Sequence, residues 1–137
     1  MRRPLAALAL LFALAFATLA HAGTYLDTAA LLLGESRKTA EWVQSHLTDT
    51  KLAAIAHDVA EARVKAGRLV VVPKDVEKAH PHLLLALETT ERALAAAADG
   101  DPSRFMRLVL QAREEERTYR AILGQQKLAL PELEHRN

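Results

Sequence analysis

The stretch EKAHPHLLLALETTERALAAAADGDPS, residues 77–103, decides the fold. Between His82 and Ala98 one stripe holds Leu83, Leu87, Thr90, Leu94 and Ala97, spaced three or four apart. That is the period of an amphipathic helix. The alanine run Ala95–Ala98 is a strong helix former. Gly100 then stops the helix, Asp101 is placed to cap the next one, and Pro102 to open it. At the front, Pro81 has no amide to donate and clashes with the preceding turn, so this third helix is kinked or restarted there. Upstream, Pro73 can begin a short helical turn, with Asp75 and Glu77 suited to its positive end.

The same period extends in both directions. A first helix over about residues 25–47 carries Tyr25, Ala29, Leu32, Ser36, Ala40, Val43 and Leu47. A second opens at Thr48, Asp49 and Thr50, all capping residues. Its expected inward stripe is Leu52, Ile55, Val59, Ala62 and Ala66, and Gly67 has the place of a left-handed terminator. Leu69 to Val72 reads as an extended connector packed on the core. The fourth helix, from Pro102 to about Lys127, carries Phe105, Leu108, Val109, Ala112, Tyr119, Ile122 and Leu123. Four amphipathic segments with short connections predict an all-α, antiparallel up-down-up-down four-helix bundle over residues 23–130. Residues 131–137 hold too little apolar surface to order a tail.

Ahead of the bundle, Arg2 and Arg3 precede an uncharged apolar run of 15 residues, Leu5 to Leu19, which is shorter than the roughly 20 a spanning helix needs. Ala20-His21-Ala22 has the small-residue pattern of a cleavage site, so residues 1–22 read as a Sec-type signal peptide cut between Ala22 and Gly23. The expected location is periplasmic or secreted, with no transmembrane span after cleavage. Removing 22 of 137 residues leaves 115, enough for one domain with its own core. The leader holds two of the 18 basic residues and none of the 17 acidic ones, so the remainder carries 16 against 17, a formal net charge of −1. That balance gives no electrostatic basis for nucleic-acid binding. The chain has no cysteine, which excludes disulfides, thiolate zinc sites and cysteine nucleophiles.

Two groupings can carry chemistry. Glu77, His80 and His82 offer a carboxylate and two imidazoles, a set that can hold zinc or copper with Asp27 or His135 as a further ligand. The competing reading makes the segment a helix start, with His82 in water; Pro81 biases His80 toward extended backbone and favours it. A ferritin-like di-iron site would need two Glu-x-x-His motifs on the bundle helices, and the helical segments hold one. The second grouping is a polar layer where the helix midpoints meet: Glu35, Ser36, Thr90, and Glu115 or Glu116. It reads as a small ligand cavity or as a hydrogen-bonded layer that fixes register. His46 and His57 are expected in solvent, with His57 beside Glu61 one turn on.

No Gly-x-Ser-x-Gly turn and no glycine-rich phosphate loop occurs. The expected function is therefore non-enzymatic and cofactor-free: binding of a protein partner or self-association in the cell envelope, through apolar surface near Trp42, Leu84 and Leu85. The alternative is a small-ligand or metal-binding bundle using the Glu77/His80/His82 end or the Glu115/Glu116 layer.

Overall fold

In a computed structural model, residues 3–132 are described, with side chains from residue 23 onward. Its regular structure is helical: α1 (Arg3–Gln44), α2 (Thr50–Leu69), α3 (His80–Ala98) and α4 (Pro102–Gln125), with a short 3-10 turn at Lys74–Val76. No strand occurs among the described residues. The side chains of the leader, including Ala22 at the expected cleavage point, and all but the first two residues of the tail lie outside this description.

The helix boundaries follow from local chemistry. The Asp49 carboxylate accepts from the Leu52 amide at 3.0 Å and the Asp101 carboxylate from the Arg104 amide at 3.0 Å, each satisfying one free donor of a first turn. Helix α3 has no side-chain cap. It begins instead from the 3-10 turn, with Ala79 donating to Val76 and His82 to Ala79, and Pro81 falls in the first turn where no amide is required. Gly100, at φ 75°, closes α3: its amide bonds to Ala97 and that of Asp101 to Ala96, the paired bonds of a left-handed helix stop.

Helix α3 is the hub. It packs most extensively on α4 and α2, and also on α1. The buried residues form two clusters. One joins Tyr25, Leu32, Leu33, Val64, Val76, Leu83, Leu87, Tyr119 and Leu123; Val70, Val72, Leu128 and Leu130 pack against it. The other joins Val43, Leu94, Phe105 and Val109 with the alanines of α2 and α3. Along α1, α3 and α4, the residues between the clusters include buried Ser36, Thr90 and Glu116.

The expected stripes of α1, α3 and α4 face inward. Helix α2 does not follow its expectation. Its buried residues are Ala53, Ala56, Ala60, Val64 and Gly67, whereas Ile55 is 64% exposed and Val59 44%. The inward face is displaced by one residue, a rotation of about 100°. Close packing explains it. A Cβ on Gly67 would lie 2.9 Å from Leu87 Cδ1 and 3.2 Å from Leu84 Cδ2, so this face of α2 approaches α3 too closely for large side chains. Gly67 is therefore a packing residue inside α2, which continues to Leu69. The connector departs from expectation in part: Leu69 and Val71 project outward while Val70 and Val72 pack inward.

Gly67→Ala sets a gain in helix propensity of about 1 kcal/mol against displaced leucine methyls, so its stability stays within about 1 kcal/mol of wild type. Gly67→Leu has no room, and chemical denaturation is expected to show a loss of about 1–3 kcal/mol.

Candidate functional site

The midpoint layer holds one buried carboxylate. Glu116 is 6% exposed. It accepts from Arg37 on α1 and, at 3.2 Å, from Arg120 one turn along α4. Both arginines reach it from the rim, so its charge is compensated without burying a second ion. Thr90 donates to the Ala86 carbonyl at 2.9 Å within its own helix, and Ser36 is buried beside it. Of the two candidate acids on α4, Glu116 enters the layer; Glu115 turns to His82, and Glu35 bonds to Lys38 on the outside of α1. A cavity of about 30 Å³ lies here, lined among others by Leu33, Ser36, Arg37, Thr90, Val109 and Glu116. That is room for a water molecule or two, far below the several hundred Å³ of a typical ligand pocket. Among the described residues, no fully buried side-chain nitrogen or oxygen lacks a hydrogen-bond partner. The geometry is that of a satisfied polar layer between two apolar clusters.

Glu77, His80 and His82 are not brought together. Glu77 is exposed. The His82 Nδ1 lies 2.8 Å from Glu115 on α4. His80 turns the other way, into a chain of hydroxyls. Tyr119 donates to Tyr25 at 3.1 Å, and the Tyr25 hydroxyl lies 3.0 Å from His80 Nδ1; with its oxygen already accepting, Tyr25 has its own proton to give, and the neutral ring then carries its proton on Nε2. The two rings of Tyr25 and His80 lie 5.7 Å apart, tilted by 59°. Burial acts on all three groups in the same sense, against charge: it raises the pKa of both tyrosines and lowers that of His80. The chain stays neutral and ties α1, α3 and α4 together at one end. Asp27 is exposed, and His135 lies outside the described residues.

A third grouping forms between α2 and α3. His57 Nε2 lies 2.7 Å from Glu91 Oε1 and 3.6 Å from Glu61 Oε1. These three place one donor atom each within 4.8 Å of one another. The sequence pattern pairs His57 with Glu61 but sends both into solvent, because it faces Ile55 and Val59 inward. With Ala56 and Ala60 inward instead, His57 rests against α3.

The rotation of α2 also leaves an apolar surface. Leu52, Ile55, Val59, Ala62, Ala66 and Leu69 follow one another at spacings of three and four along its outer side, and all but Leu52 are exposed. Trp42 and Leu85, expected at an exposed patch, are exposed as well; Leu84 is half-buried against the Gly67 face. No helix among the described residues is long and apolar enough to cross a membrane. Comparisons with protein-family models, with curated proteins and with solved structures find no match to this chain.

The His80 imidazole is neutral in the fold, with its pKa held below the ordinary value of about 6.5. Its contribution to stability is complete above about pH 6.5 and is lost as pH falls from there through the lowered folded-state value. Thermal unfolding followed between about pH 7 and pH 5 should show a steeper acid loss in wild type than in His80→Asn, which keeps an acceptor for Tyr25 but does not titrate. The slope difference is bounded by about 1.4 kcal/mol per pH unit. Parallel profiles would mean that protonation of His80 carries no folding penalty.

Proposed function

We propose that this is an exported, non-enzymatic helical-bundle protein of the cell envelope that works by protein–protein association, and that the outer face of α2 takes a second copy of the chain. The observation that carries this reading is the uncovered apolar stripe on α2. Positions 52, 55, 59, 62, 66 and 69 alternate steps of three and four, which is the seam of a two-stranded coiled coil. Leu52, Ile55, Val59 and Leu69 are the large members, with Leu69 83% exposed.

The stripe is self-complementary. If two copies of α2 lie antiparallel about a two-fold axis, Leu52 meets Leu69, and the large Ile55 and Val59 meet the small Ala66 and Ala62 of the other copy. The same register sets Asp58 of one copy beside Lys65 of the other, twice by symmetry. Both residues are exposed in the single chain. Each large aliphatic adds about 1.5–3 kcal/mol when fully covered, against an association cost of about 4–15 kcal/mol, so the dimer is roughly micromolar or weaker.

The leader features at Arg2, Arg3 and Ala20-His21-Ala22 support export. The up-down-up-down reading is supported by the order of cross-helix pairs. Tyr25 with Tyr119, Arg37 with Glu116 and Glu41 with Arg113 run in opposite senses along α1 and α4; His57 with Glu91 and Arg68 with Glu88 do so along α2 and α3. The first turn of α3, with Pro81 inside it, supports a restart there over a kink.

Mass spectrometry of the secreted or periplasmic form should find Gly23 as the first residue; a retained leader contradicts export with cleavage. Sedimentation equilibrium should show a monomer–dimer equilibrium. Ile55→Glu with Val59→Glu should abolish it without loss of helical circular dichroism. Asp58→Lys should weaken it, and Asp58→Lys with Lys65→Asp should restore it. A strict monomer up to several hundred micromolar, or a dimer indifferent to these changes, would overturn the assignment.

A further inference from the structure

We propose that His57, Glu61 and Glu91 form a binding site for a divalent transition cation of the zinc type, bridging α2 and α3 on the flank of α2 away from the association stripe. The donor set is one imidazole nitrogen and two carboxylates, the mixture that suits Zn²⁺ with water at a fourth position. Ligand bonds of about 2.0–2.2 Å in a tetrahedron put donor atoms roughly 3.3 Å apart. The observed separations from His57 Nε2, 2.7 Å to Glu91 and 3.6 Å to Glu61, bracket that edge.

The scaffold holds the ligands in place. His57 and Glu61 are one turn apart on α2, so they share a face. Glu91 comes from α3, and the small residues Ala53, Ala56, Ala60 and Gly67 fix the distance between the two helices. The far ring nitrogen, Nδ1, lies 3.9 Å from Asp58 Oδ1. A carboxylate on that side stabilises the Nδ1–H tautomer once the metal has displaced the Nε2 proton. The charge also balances: two carboxylates and a neutral imidazole total −2. Of the nearby cations, Arg68 is engaged by Glu88 at 3.0 Å, and Lys65 stands at the rim. An open hollow lined by Glu61, Val64, Lys65, Arg68 and Glu91 gives solvent access for the fourth ligand.

Without the ion, the short His57–Glu91 contact is a hydrogen bond; binding replaces its proton with the metal. The imidazole and the small number of protein ligands disfavour Mg²⁺ and Ca²⁺, which take six or more oxygens or waters. Bound metal would pin α2 to α3, and none of its three ligands belongs to the association stripe.

The test is calorimetric titration of the full protein, purified without a polyhistidine tag and stripped with chelator, using ZnCl₂ and MgCl₂, with thermal unfolding in parallel. Expected are saturable Zn²⁺ binding at one ion per chain, a rise in Tm with Zn²⁺ and none with Mg²⁺. His57→Asn and Glu91→Gln should each weaken Zn²⁺ binding at least about tenfold. Glu61→Gln, on the more exposed ligand, supplies a third variant least able to disturb the fold, and helical circular dichroism confirms folding in each. His80→Asn with His82→Asn should leave binding unchanged. Absence of saturable binding, indifference to all three ligand variants, or loss on changing His80 and His82 instead would overturn the assignment.

Discussion

The structure depends on the close approach of α2 to α3. Ala53, Ala56, Ala60 and Gly67 give α2 a face with almost no side-chain height, and Leu84 and Leu87 fill the space that a larger residue would occupy. Because interiors are packed to crystal-like density, such a face and its partner fix both distance and rotation. That rotation sets what the rest of α2 presents. His57 meets Glu91, Arg63 reaches Thr39 on α1 at 2.8 Å, and the large aliphatics are left outside. A helix whose apolar surface extends about 100° beyond its buried face is unusual at the edge of a small domain. Here the buried face is used for tight packing and the extension remains available for association.

A second constraint acts along the bundle axis. The core is not continuous; a polar level formed by Ser36, Thr90 and Glu116 separates a larger aliphatic and aromatic cluster from an alanine-rich one. Sliding α4 by one turn would take Glu116 away from Arg37 and leave it with Arg120 of its own helix alone. It would also break the Tyr119–Tyr25–His80 chain, which ties three helices at the far end of the larger cluster. The two polar features therefore specify register, while the leucines and alanines around them supply most of the burial. With no cysteine in the chain, this division of labour takes the place of covalent ties.

Much of this was legible in the sequence. The stripes of α1, α3 and α4 each have one apolar side, so periodicity gives one answer, and Asp49, Gly100 and Asp101 mark boundaries through their own hydrogen bonding. The polar level was legible as well, since Ser36, Thr90 and the acids near 115 interrupt otherwise apolar stripes; which acid turns inward was not, because Glu115 and Glu116 differ by one position and the choice depends on Arg37 and His82. Helix α2 was misread because it satisfies the helical period twice. Hydrophobicity selects Ile55 and Val59 as the inner face, whereas packing distance selects Ala56 and Ala60, and distance is a property of the partner helix. The His57, Glu61 and Glu91 grouping was hidden by the same ambiguity. His80 was legible as part of a helix start, but its tyrosine partners sit 55 and 39 positions away in the chain and no local pattern links them.

The rotation of α2 can be measured directly. The chain lacks cysteine, so single cysteines placed at 55, 56, 59 and 60 report their own accessibility to a thiol reagent under native, dilute conditions. Rates at 55 and 59 close to those of the unfolded chain, with 56 and 60 protected by orders of magnitude, are what this account predicts. Protection at 55 and 59 with rapid labelling at 56 and 60 would contradict it, and with it the placement of His57 against Glu91 and the outer face of α2.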